Sequence, residues 1–418
     1  MKHVALAVAA VLAPGLALAQ PTPATEPVTT EAPAEDPPLG EVTATAALPA
    51  APIEEPPAPA DDKTVSVTYD KGLTFKSADD AYELKLGLRS QFRWDLARKD
   101  VDDTEFQSKF LLPRLRLQFE GHAFGKAQPY KIEFDFANKG AAVLKDAWVE
   151  HALRKDLRVR AGQWKRPFNR QEIVSDFGSE LVERSIMNEF VGGGRDLGVA
   201  LHNNYEKSPD GLEWAIGIFN GTGEKPASAI TCVPGATPAD PPVCTSGTPT
   251  NVPGDIGPVL VVHAGWNSGG IKGYSEGDLE GGPLRVAAAV SYRMNPHDLD
   301  EDAAGDLDIE HAVVGDVMVK VSGLAASVAV GLVKDGQADA EIALYGQASY
   351  LLVPKKLLAA ARFAQVPVGD ESRHEILGGF DYFLHGHSLK VMADAGVLHT
   401  TGAGTSDLQV RTQLQLQL

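Results

Sequence analysis

Arginine recurs two or four positions apart in three short stretches of this chain. Arg89 and Arg93 lie in one, Arg114 and Arg116 in the next, and Arg158 and Arg160 in a third. Lys85, Lys131 and Arg166 extend the same spacing. Guanidinium stays charged at any physiological pH and donates hydrogen bonds in a fork that suits oxyanions. If these stretches were neighbouring strands, the side chains would form a ladder along one wall, able to pass an anion from one cation to the next. Glu83, Glu120, Glu133, Asp135, Asp146 and Glu150 share the same face. The basic excess there is modest, and two readings stay open: anion selectivity, or charges that pair and only keep the wall polar.

No constellation for catalysis or metal binding accompanies them. No Ser/His/Asp or Cys/His set is ordered by sequence, so no catalytic residue, cofactor or metal is expected. Gly192-Gly193-Gly194 lacks the Lys-Ser/Thr of a phosphate-binding loop and reads as a flexible turn. His385-Gly386-His387 has no third ligand nearby. The acidic run Asp298–Asp302 is followed by Ala303 where a calcium loop needs Gly, and Ile309 stands where it needs Glu.

The elements that carry these residues have a period of two. Between Tyr82 and Trp94, Leu84, Leu86, Leu88, Phe92 and Trp94 fall on one face. Glu83, Lys85, Arg89, Gln91 and Arg93 fall on the other. A strand separates such sets, whereas a helix scatters them. The pattern returns in Arg114–Glu120, Tyr130–Phe136 and Leu284–Arg293, and it ends in Leu408–Leu418 with leucines opposite glutamines. About sixteen such segments of roughly ten residues are expected, the even count of a transmembrane antiparallel β-barrel. Linkers alternate in length. Gly121–Lys126, Arg154–Asp156, Lys207–Asp210, Ser322-Gly323, Pro354-Lys355 and His385-Gly386 are short. Asp95–Gln107, Phe168–Gly194, Asn220–Asp255, Asn295–Gly305, Pro367–Ser372 and Thr400–Thr405 are long. This is the parity of tight periplasmic turns and longer external loops. Asn267–Gly282 breaks it, being long where a short turn belongs.

Lipid offers no hydrogen bonds, so a spanning sheet must close on itself. Closing about sixteen strands leaves an interior too wide for side chains to fill, and the polar face would line a wet lumen. In the second half of the chain that face is nearly balanced. Asp308, Glu310, Asp316, Asp381 and Asp394 stand against Arg285, Arg293, Lys320, Arg362, Lys390 and Arg411.

Before the barrel, residues 1–19 read as a cleaved export signal: Lys2 and His3, an apolar run, then Ala17-Leu18-Ala19. Residues 20–62 are rich in Pro, Ala, Thr and Glu and lack core-forming side chains, so a disordered periplasmic segment is expected. The barrel is assigned to residues 63–418. The 418 residues carry a net charge of −18, of which residues 1–62 hold −8. That acidity disfavours nucleic-acid binding. Cys232 and Cys244, the only cysteines, lie in a Pro/Thr/Gly-rich stretch and are expected to form a disulfide in an exported protein. Passive passage of small polar or anionic solutes, a structural envelope anchor and an outer-membrane hydrolase remain the competing functions.

Four motifs sharpen this reading. They are Gly162-Gln163-Trp164-Lys165-Arg166-Pro167-Phe168, Glu183-Arg184-Ser185, Arg195-Asp196-Leu197-Gly198-Val199 and Phe219-Asn220-Gly221-Thr222-Gly223, in that order. Tyr345–Tyr350 and Gly378–Tyr382 follow. Together they resemble the phosphate-selective porin O and P family over roughly residues 70–418. The resemblance implies a homotrimer of sixteen-stranded barrels in the outer membrane of a Gram-negative bacterium, in contact with lipid and lipopolysaccharide. It also implies an external loop folded inward as a constriction. Phe168–Gly194 matches that loop and carries Arg170, Glu172, Asp176, Glu180, Glu183 and Arg184. Ile173, Phe177, Leu181, Ile186 and Phe190 recur there at near-helical spacing, which predicts a short helix against the wall.

Overall fold

The computed structural model describes residues 64–100, 105–137, 142–221, 223, 230–233, 243–246, 258–299 and 307–418. The export signal and the Pro-rich segment lie outside the described residues.

Sixteen antiparallel strands form one closed ring. They are β1 (Glu83–Lys99), β2 (Glu105–His122), β3 (Pro129–Asp135), β4 (Val143–Arg154), β5 (Leu157–Lys165), β6 (Arg195–His202), β7 (Gly211–Phe219) and β8 (Val259–Ser268). Then follow β9 (Arg285–Leu299), β10 (Leu307–Val321), β11 (Leu324–Asp335), β12 (Glu341–Val353), β13 (Leu357–Val368), β14 (Glu371–His385), β15 (Leu389–Thr400) and β16 (Thr405–Gln417). Each pairs with its sequence neighbour, and β16 closes on β1 from Leu408↔Arg98 to Gln417↔Arg89. Where β16 ends, Leu418 and Leu88 exchange backbone hydrogen bonds of 2.8 and 3.1 Å. A hairpin of Val65–Tyr69 and Leu73–Ser77 then continues the pairing along Glu83–Leu86 of β1. Closure leaves no open edge along the barrel strands, which is what a sheet in lipid requires.

The two faces follow the alternation. Leu88 and Phe92 of β1 are exposed on the outside, while Gln91 between them is fully buried inside. Val328 and Val330 of β11 and Ile376 and Phe380 of β14 are likewise exposed to the lipid side.

Strand lengths differ from the expected ten. They run from 7 residues in β3 to 18 in β2. The first external linker shrinks because β1 and β2 stay paired out to Lys99↔Glu105. The seventh is a two-residue turn: β13 and β14 pair to Val368↔Glu371, so the long loop expected at Pro367–Ser372 is not there. The alternating pattern fades at these ends because the strands leave the lipid, yet backbone pairing continues in water. Loop parity survives in the 166–194 segment. The 269–284 segment is the long exception on the opposite end.

The 166–194 segment lies inside the barrel. Its near-helical spacing resolves into two short helices, α1 (Arg170–Ile173) and α2 (Ile186–Val191), with irregular chain between them. The Asn169 side chain caps α1 and the Ser185 hydroxyl caps α2. Gly192 ends α2 at φ 63°, a conformation that favours glycine. Phe168, Met187 and Val191 pack on inward Val261, Val314, Ala329, Ala343 and Ala364, forming the largest apolar core. The barrel is therefore filled on one side by its own loop.

Candidate solute passage

The opposite side, walled by β1–β6, encloses a cavity of about 680 Å³. It extends from Glu83, His122 and Lys207, at the short-turn end, to Lys165 and Asp176 beneath the loop. Its basic lining is Lys85, Arg89, Arg116, Lys126, Lys131, Arg158, Arg160, Lys165, Arg195 and Lys207. Its acidic lining is Glu83, Glu120, Asp146, Glu150, Asp176 and Glu206. Ten basic residues thus line the passage against six carboxylates. Glu133, Asp135 and Asp80 stand just behind the lining and pair with Arg89, Arg116, Lys131 and Lys126, so the wall is basic at its surface and nearly balanced in depth.

Most of the arginine ladder is ion-paired. Arg89 lies 3.4 Å from Glu133. Arg116 reaches Asp135 and Asp176 at 2.9 Å each. Lys131 holds Asp146 at 2.5 Å, and Arg158 holds Glu150 at 2.7 Å. Arg160 pairs with Glu150 at 2.8 Å and Glu206 at 2.9 Å, and stacks 4.2 Å over the Trp148 ring. Arg93 and Arg114 stand above the cavity, where both bind Glu183. Arg166 is buried near Asp196 at 3.5 Å and donates to the Gly193 carbonyl, which fastens the loop rather than facing the cavity. Lys85 and Lys207 line the cavity without sharing in these pairs.

The loop residues named from the sequence divide by role. Asp176 is clamped by Arg114 (3.2 Å), Arg116 (2.9 Å) and Arg184 (2.6 Å). Burial alone would raise its carboxyl, but Arg114, Arg184 and Arg116 overcome this and hold it well below the usual carboxylate range. Arg184 also donates to the Gln171, Glu172 and Val174 carbonyls, tying α1 to the chain before α2. Glu172 accepts from Asn188 at 3.0 Å. Arg170 turns away from the cavity to Asp316 and Glu213 on the far wall. Glu180 points to that side too, where Gln347 donates to it at 2.9 Å. Burial first, and the carboxylate of Glu276 second, push Glu180 up to about 8.

The second-half charges do not line water as the sequence pattern suggested. Arg285, Asp316, Lys320, Arg362, Asp381, Lys390, Asp394 and Arg411 are buried under the loop and under the 269–284 turn, which folds inward from the other end. Arg362 donates to the Glu183 carbonyl at 2.8 Å, and Asp394 accepts from the Val182 N–H at 2.9 Å. Lys320 donates to the carbonyls of Lys272 (2.9 Å) and Ser275 (2.6 Å). These charges are anchors for two inserted segments. Sequence alone misses this because an anchor and a pore-lining charge occupy identical positions in the alternation. The overlong turn at Asn267–Gly282 was the available signal. The side chain of Asp308 lies outside the described residues. Cys232 and Cys244 are Cα partners in a small hairpin, Ile230–Val233 with Val243–Ser246.

A closed sixteen-stranded barrel with a lipid-facing apolar surface and an external loop folded into its lumen defines an outer-membrane porin. Its fold is that of a channel rather than an enzyme. The motif resemblance is matched in kind: the model of the phosphate-selective porin O and P family fits residues 85–230. Among curated protein sequences no relative matches the chain. Solved structures that share the fold include the following two. The anion-selective porin from Comamonas acidovorans is 11% identical over 80% of this chain and 99% of its own, with a TM-score of 0.54. The outer membrane channel DcaP of Acinetobacter baumannii is 14% identical over 82% of this chain and 99% of its own, with a TM-score of 0.55. The protein resides in the outer membrane of a Gram-negative bacterium.

Proposed function

We propose that this porin passes small polar and anionic solutes, inorganic phosphate among them, by diffusion along the β1–β6 wall. The observation that carries the reading is the surface of the cavity lining, ten basic residues against six carboxylates, with Lys85 and Lys207 outside the ion pairs among the described residues. Paired arginines hold their partners in place and still present unused N–H donors, so a passing oxyanion meets both free charge and hydrogen-bond donors. The named pore residues act as a wall of this kind rather than as a free ladder. A homotrimer set among lipid and lipopolysaccharide is the assembly that the family resemblance favours. The register of Cys232 against Cys244 supports a disulfide in the fourth external loop.

Reversal potentials under a KCl gradient test the selectivity. Wild type should prefer anions, more strongly at low salt because screening shortens the reach of the wall's charge. Lys85→Glu with Lys207→Glu should move the potential toward cation selectivity. A cation preference in wild type would end the anion reading.

A further inference from the structure

Two carboxylates meet inside the filled half of the barrel. Glu180 comes from the constriction loop and Glu276 from the 269–284 turn, so the contact joins the two inserted segments. Gln347 Nε2 donates to Glu180 Oε2 at 2.9 Å and to Glu276 Oε2 at 3.0 Å. The Glu180 N–H donates to the same Glu276 oxygen at 2.9 Å. Glu180 is 3% exposed and Glu276 7%, so water cannot screen the pair.

The surrounding charges do not neutralise both. Asp278 of the turn is taken by Arg285 of β9 at 2.5 Å. Asp381 of β14 is taken by Lys390 of β15 at 2.9 Å, and Lys390 also donates to the Ser179 carbonyl beside Glu180. Asp394 of β15 is taken by Arg411 of β16. Tyr345 of β12 is buried nearby and neutral. Arg170 of α1 lines the same small cavity as Glu276 but is taken by Asp316 and Glu213. Among the described residues that leaves Lys320 of β10, whose ammonium donates to the carbonyls of the turn. One positive charge thus faces two carboxylates. Two like charges in a dry site cannot both ionise cheaply, so one proton must stay.

We propose that Glu180 keeps a proton beside Glu276 and that the two act as a latch between the constriction loop and the periplasmic turn, which makes the channel's conductance depend on pH. This rests on the porin reading and adds regulation to the same passage. With the proton in place, the two segments stay joined and fill their half of the lumen. When it leaves, an uncompensated buried carboxylate drives the turn and loop apart and widens the path. Because Glu180 is raised, its contribution is complete below the usual carboxylate range. It is lost as pH rises through about 8.

Single-channel conductance of the full protein in planar bilayers, from mildly acidic to alkaline pH, tests this. Wild type should step to higher conductance on the alkaline side. Glu180→Gln and Glu276→Gln should each conduct equally at both ends of the range, since an amide cannot lose the proton. Infrared difference spectra of wild type should show a protonated carboxyl band that disappears over the same range and is missing in both variants. That readout holds even if a variant inserts poorly into bilayers. A channel that conducts with no pH step, or a band unchanged in Glu180→Gln, would overturn the latch. A protein that does not conduct at any pH would instead overturn the porin reading.

Discussion

The two halves of this barrel obey the same alternation and use it for opposite ends. On β1–β6 the inward positions are long and charged, as in Lys85, Arg89, Arg116, Glu133, Arg158 and Arg160, and a cavity remains in front of them. On β8–β13 many inward positions are small and apolar, as in Val261, Ala289, Ala312, Ala329, Ala343 and Ala364. Small side chains leave room, and the loop fills it with Phe168, Met187 and Val191. Polarity tells which strand face points inward. Side-chain volume tells whether water or protein stands in front of it. The passage is therefore offset toward one wall, and the loop is pinned between an arginine clamp on that side and an apolar bed on the other.

Breaking the clamp should have the largest effect. Asp176→Ala leaves Arg114, Arg116 and Arg184 without their shared carboxylate. Removing one partner of a buried pair costs about 3–5 kcal/mol. Thermal unfolding of the variant should fall accordingly, and its conductance should rise as the loop loosens. Wild-type stability with unchanged conductance would show that the clamp does not hold the loop.

The lipid-facing side gives the next largest effect. Leu117→Arg, on the outer face of β2, should cost roughly 2–4 kcal/mol if folded into vesicles at midplane depth. Gln118→Arg, on the inner face, should cost far less. Urea titrations of both variants in the same vesicles compare them. Equal losses would mean that the register assigned to β2 is wrong.

Disturbing the apolar bed should be milder. A Cβ at Gly331 would stand 2.3 Å from Val191 Cγ1 and 2.9 Å from Met187 Cε, so α2 can only rest there because residue 331 has no side chain. Gly331→Val should cost about 1–3 kcal/mol by overpacking and shift α2 toward the open half. Lowered conductance would accompany that shift, whereas a stable variant with wild-type current would contradict close packing at this point.

Much of this was legible in the residues, and the limit is physical. The faces of β1, β2 and β16 follow directly from alternation, because lipid and lumen demand opposite polarity at every second position. The inward loop was expected from the family resemblance, which the position and length of Phe168–Gly194 matched. Its two short helices were not, because near-helical spacing from Ile173 to Phe190 runs through the irregular chain between α1 and α2. Strand ends such as Val368–Glu371 were misplaced because pairing outlasts the membrane pattern. The status of each charge was hidden altogether. Arg170 and Arg160 are equally basic in sequence, yet one anchors the loop to Asp316 and the other lines the cavity. Only the partners brought from distant segments decide between these roles.

Offset of the passage toward the basic wall can be measured by thiol block. In a background with Cys232 and Cys244 changed to serine, Lys85→Cys and Ala343→Cys would each be treated with a small water-soluble thiol reagent during bilayer recording. A stepwise loss of current is expected for Lys85→Cys and none for Ala343→Cys, whose position is fully covered by the loop. Equal block at both positions, or block at Ala343→Cys alone, would contradict it.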